Sequence, residues 1–128
     1  MTVPAYDATR ALAATRERTG IVIPIYLPRD VDSRQGEALL RETVASYCAQ
    51  VSDPAAICLS VDGEQFGAQV ARDLAHELGT QVSASPHNQG KLAAARNGTR
   101  LLLCDPRLHY LAIVDQDGDH FTNELINL

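Results

Sequence analysis

Short apolar runs alternate with helical repeats along nearly all of this chain, and that alternation restricts the fold more than any other feature. The clearest run is Ile21-Val22-Ile23-Pro24-Ile25-Tyr26. β-branched residues dominate it, and such side chains sit comfortably in extended backbone. A strand with one wet face would alternate apolar and polar residues. This run does not, so it is expected to be buried on both faces, as in a parallel sheet. Ala55 to Val61 is a second buried run, Gln81 to Ser85 a weaker third, and Tyr110 to Val114 a fourth, also expected to be buried. Helical patterns separate them: Gly36 to Gln50, Gly67 to Leu78 and Lys91 to Cys104. Leu39, Leu40, Val44 and Tyr47 fall on one side of the first, and Val70, Leu74 and Leu78 on one side of the second. An Ala-rich helix from Tyr6 to Arg18 comes before all of these, with Thr19-Gly20 as its stop and glycine as its cap. Pro24 cannot donate to a ladder, so its strand should end irregularly or at a bulge. Phe121 to Leu128 reads as the start of a further helix.

Strand and helix in strict alternation imply right-handed crossovers. The expected class is α/β, a mostly parallel sheet with helices on both faces. The 128 residues allow one compact domain. Residues 1–20 read as an N-terminal helical extension and residues 21–128 as the α/β domain. In such sheets a ligand binds beyond the carboxyl ends of the strands, where the strand order reverses. The positions to inspect are therefore Tyr26, Asp62-Gly63, the Ser85 to Gly90 loop, and Asp115 to Asp119.

Composition narrows the partners. The formal net charge of -5 lacks the basic excess of a protein that tracks nucleic-acid phosphates, so no nucleic-acid partner is expected. An acidic chain can still hold an anionic nucleotide if a cation bridges the two. No apolar run approaches the roughly 20 residues that cross a bilayer. Cys48, Cys58 and Cys104 show no metal-ligand spacing, and Cys58 and Cys104 are expected to be buried, unreactive thiols. An odd cysteine count without a signal peptide suggests a reducing compartment and a cytoplasmic location. Asn97-Gly98-Thr99 matches a glycosylation sequon, which that location makes incidental.

Asp115-Gln116-Asp117-Gly118-Asp119 crowds three carboxylates into five residues at a strand end. Asp115 and Asp117 have the same parity, so an extended backbone points both to one side. Like charges so close repel unless one protonates or a cation sits between them. Mg2+ or Mn2+ is suited to that place, because hard ions take carboxylate and phosphate oxygens together with water. Gly118 allows a sharp turn. The plain alternative is a solvated acidic turn, since Asp and Gly are common turn formers. An EF-hand loop starting at Asp115 would need Gly at position six and Glu at position twelve. His120 and Ile126 stand there instead.

Taken in order, the strand-end elements resemble the nucleotide-binding half of inverting family-two glycosyltransferases. Pro24-Ile25-Tyr26 resembles that family's first strand end. Ser46-Tyr47-Cys48-Ala49-Gln50 is similar to its following helix end, and Val61-Asp62-Gly63 to its second strand end. Asn88-Gln89-Gly90-Lys91 through Arg96-Asn97-Gly98 resembles its next loop and small-residue helix. Leu111-Ala112-Ile113-Val114-Asp115-Gln116-Asp117 resembles its Asp-x-Asp element. The likeness covers about residues 21–121. Leu27 departs from it, standing where the family often has Asn.

The resemblance implies a Rossmann-like GT-A nucleotide-binding half and a metal-dependent glycosyltransferase. The expected partner is a nucleotide-diphosphate sugar donor, with the sugar passing to an acceptor hydroxyl of unknown identity. It implies that Pro24, Tyr26, Asp62, Lys91, Arg96 and Asp115 meet the nucleotide. Asp62 would accept from the base and Lys91 would lie by the phosphates at a helix N-terminus. Asp117 would ligate Mg2+ or Mn2+, with Asp115 beside it. Asp119 and His120 are weaker candidates, and no catalytic base is assigned. The family places its acceptor site in a second half, so a further domain or subunit is expected to supply it. Two other readings stand. One is a non-catalytic sugar-nucleotide-binding fragment or partner. The other is a receiver-like Mg-binding signalling domain, which would gather acids at the end of the first strand, where this chain has none.

Overall fold

The computed structural model describes residues 8–117. Helix α1 (Ala8–Arg18) runs directly into strand β1 (Thr19–Ile25). Helix α2 (Ser33–Cys48) follows, then a 3-10 turn at Pro54–Ala56 and strand β2 (Ile57–Val61). Helix α3 (Phe66–Leu78), strand β3 (Gln81–Ala84), helix α4 (Lys91–Leu102) and strand β4 (Tyr110–Ile113) complete the order. The expected helix over residues 121–128 lies outside the described residues.

All four strands are parallel, in the order β3-β2-β1-β4. That is the α/β class read from the sequence, with the strand order of a Rossmann half. It differs from the receiver order, in which the third strand sits beside the first. Helices cover both faces. On one, Leu40, Val44 and Tyr47 of α2 and Val70, Ala71 and Leu74 of α3 pack on Ile21, Ile23, Ile25, Ile57 and Leu59. On the other, α4 lies close to β1 and β2. A Cβ on its Gly98 would stand 2.6 Å from a Val22 methyl carbon. The Ser60 hydroxyl donates to the Ala94 carbonyl at 2.5 Å and so fastens the same helix to β2.

Several boundaries differ from the sequence expectation. Gly20 does not cap a helix. It pairs with Leu111 inside the sheet, and a Cβ there would meet the Leu111 and Leu108 side chains at 2.7 and 2.9 Å. The glycine serves close packing, and the expected domain boundary at residue 20 falls inside β1. Gly79, by contrast, caps α3 as expected, with a φ of 87°. Helix α4 stops at Leu102, so Cys104 is exposed rather than buried. Cys58 is buried as expected, and burial pushes its thiol up to about 11. Strand β4 is a partly exposed edge, not the buried strand expected, because within the described residues no strand pairs with its outer side.

Candidate functional site

Strand order reverses between β1 and β4, and the site forms there because the two strands part. The Ile25 carbonyl accepts from the Asp62 N–H at 3.1 Å, so Ile25 faces β2. The Val22 carbonyl accepts from the Val114 N–H at 3.0 Å, so Val22 faces β4. Successive residues of a strand alternate in this respect, which turns Pro24 towards β4. Proline has no N–H, and the β1–β4 register ends at Val22↔Ile113. On the other side β1 stays paired with β2 through Pro24↔Ser60 to Ile25↔Val61. The irregularity expected at Pro24 is therefore confined to one side of the strand. A proline inside a central strand is tolerated because it stands where that ladder ends.

Tyr26 is the next residue turned towards β4. Its backbone is held by a side chain: its N–H donates to Gln116 Oε1 at 2.7 Å, and Gln116 Nε2 donates to its carbonyl at 2.9 Å. The amide takes the place of a strand neighbour. Gln65 does the corresponding work on the other side of β1. Its Oε1 accepts from the Leu27 N–H, and its Nε2 donates to the Asp62 carbonyl. Neither glutamine was among the sequence candidates, because a lone Gln has no motif and its bridging depends on which strand ends are neighbours. The Arg29 guanidinium lies 4.5 Å from the centre of the Phe66 ring and ties down the loop after β1.

Between the parted strands lies a cavity of about 580 Å³, within the ordinary range for a small-molecule site. Pro24, Tyr26, Asp62, Lys91, Asp115 and Asp117 all line it. Asn88, Gly90 and Gln116 join them. A second hollow of about 350 Å³ adjoins it through Tyr26, Asp62 and Asn88 and extends to Gln65 and His87. Arg96 is exposed on α4 and does not line either cavity.

Asp62 is buried at the end of β2. One carboxylate oxygen accepts from the Gln89 N–H at 2.6 Å and the other from the Gly90 N–H at 2.9 Å. The carboxylate thus holds the loop that leads into α4. Each oxygen keeps a further lone pair, so an additional donor can still be accepted. Gly90 has a φ of 97° and precedes the first helical residue, Lys91. Lys91 reaches across the cavity and pairs with Asp115. The first turn of α4 adds backbone N–H groups and the positive end of the helix dipole.

Asp115 and Asp117 line the same cavity, as their parity suggested, although a turn at residues 116–117 brings them there rather than an extended run. Burial raises the pKa of the Tyr47 phenol, and the nearby Asp115 charge raises it further. Among the described residues no group of three or more His, Cys, Asp or Glu is gathered to hold a metal ion. Asp119 and His120 lie outside those residues. Two carboxylates fit an ion that completes its shell with phosphate oxygens and water, not one enclosed by protein. Among the described residues no helix is long and apolar enough to cross a membrane. No protein-family model, curated protein or solved structure matches this chain.

Proposed function

We propose that this chain is the donor-binding part of a metal-dependent glycosyltransferase and binds a nucleotide-diphosphate sugar for transfer to an acceptor hydroxyl. One observation carries the reading: a cation at a helix N-terminus, Lys91, and two carboxylates, Asp115 and Asp117, line one cavity at the switch point with Tyr26 and Asp62. That set suits a ligand with a planar polar base at one end and a diphosphate at the other. Tyr26 offers a half-exposed ring to a base. Asp62 offers its remaining lone pairs to a base N–H. Lys91 and the first N–H groups of α4 suit phosphate oxygens. A divalent cation bound by Asp117 and Asp115 would supply positive charge against the leaving diphosphate. Lys91, which pairs with Asp115, would then exchange that carboxylate for a phosphate oxygen.

Calorimetry against uridine, guanosine and thymidine diphosphates, with Mg2+ or Mn2+ and with chelator, tests this reading. At least one diphosphate is expected to bind with a metal requirement, and Asp117→Ala to remove that requirement. If none of them binds in either condition, the proposal is wrong.

A further inference from the structure

The residues around the cavity are joined end to end. Tyr26 is tied to the Gln116 amide through both its N–H and its carbonyl, and Gln116 adjoins Asp115 in sequence. Asp115 pairs with Lys91 across the cavity. Lys91 follows Gly90, whose N–H donates to the Asp62 carboxylate at 2.9 Å. The Asp62 carbonyl accepts from Gln65, and Gln65 accepts in turn from the N–H of Leu27, next to Tyr26. The circuit closes on itself. Among these links, each has a backbone group at one end except Lys91–Asp115, which joins two side chains. The Lys91 side chain is 66% exposed and that of Asp115 31%. Water competes for such a pair, so it contributes little stability and opens readily.

We propose that the Lys91–Asp115 pair is a latch that couples the two ligands of the site. This rests on the reading of the site as one for a diphosphate and a divalent cation. The cation needs Asp115, the diphosphate needs Lys91, and the two side chains hold each other. A cation that binds alone must displace Lys91, and it leaves that ammonium beside its own positive charge. A diphosphate that binds alone must displace Asp115, and it leaves that carboxylate beside its own negative charge. Bound together, they open the pair once, and each offsets the charge that the other exposes. The coupling is reciprocal: a cation that favours the diphosphate is favoured by it to the same extent. The links through backbone keep Tyr26, Asp62 and Gly90 in place while the latch opens.

Calorimetry with Mn2+ alone and with inorganic pyrophosphate alone tests the latch. Removing one partner ends the competition for the other, so losing a residue of the site is expected to improve binding. Lys91→Met is expected to bind Mn2+ alone about threefold more tightly than the wild type, and Asp115→Asn to bind pyrophosphate without metal about threefold more tightly. Asp117→Asn removes the same charge from the same cavity but leaves this pair, and a smaller gain in pyrophosphate affinity is expected. Unchanged or weaker binding by either Lys91→Met or Asp115→Asn overturns the latch. So does an equal gain from Asp117→Asn, which would make the effect one of net charge. If the wild type binds a nucleoside diphosphate with metal while these gains are missing, the latch is wrong and the reading of the site stands. If it binds none in either condition, both are wrong.

Discussion

The two sides of β1 differ in one respect that decides the rest. Towards β2 the ladder runs on to Ile25, every residue of both strands is buried, and the Ser60 hydroxyl and the close approach of Gly98 lock a helix over them. Towards β4 the ladder ends at Val22, and a proline and a glutamine amide occupy the positions beyond it. One side is a closed core and the other a bounded opening. A parallel sheet therefore makes a site by ending one ladder early while its neighbour continues. The backbone groups released by that ending must still be satisfied, and here Gln116 does so at Tyr26.

The comparison is broken most severely from the closed side. Gly98→Val should force a side chain into the fully buried Val22 and should destabilise the fold by about 3 kcal/mol. Urea unfolding would show a lower midpoint with an unchanged slope. An equal cost for a substitution at exposed Arg96, on the same helix, would remove the contrast.

A smaller effect on the same side follows from Cys58. Its thiol is shifted from 9.0 to about 11 in the folded chain. The folded state keeps this proton where the unfolded state has lost it. Its contribution is thus fully present below pH 9 and lost as pH rises towards 11. Stability should fall by about 2 kcal/mol across that window. Tyr47 and Cys48, both raised by burial, act in the same direction. Thermal unfolding between pH 8 and pH 11 checks this, and Cys58→Ala should flatten the slope.

The smallest effect on stability, and the sharpest for the site, belongs to Gln116. Gln116→Ala removes two hydrogen bonds at an exposed backbone that water can reach, so it should cost only about 1 kcal/mol. Affinity for a metal-dependent diphosphate should fall much further, because the turn carrying Asp115 and Asp117 is then no longer tied to β1. Equal small losses in both measurements would mean that the bridge is ornamental to the site.

The class of fold was legible because periodicity reports burial directly. Unbroken β-branched runs marked strands covered on both faces, and i, i+4 spacing marked α2 and α3. Boundaries were less legible. Gly20 reads locally as a helix cap, and only the nearness of Leu108 and Leu111 makes it a strand residue. Cys104 reads as the end of an apolar helix, yet it lies beyond the last turn. Most of the proposed site was legible too, since Tyr26, Asp62, Lys91, Asp115 and Asp117 all stand at strand ends or a helix start. Arg96 was placed by its neighbours in sequence, and helical geometry turns it away from the cavity.

By itself the sequence determined an alternating α/β chain and the set of residues available at its strand ends. It did so because burial periodicity and backbone chemistry act over a few residues. Tertiary structure alone decided that β4 lies beside β1, that Pro24 turns towards β4, and that Gln65 and Gln116 bridge the parted strands. Each of these depends on which distant backbone groups become neighbours, and a hydrogen-bond donor reaches only about 3 Å.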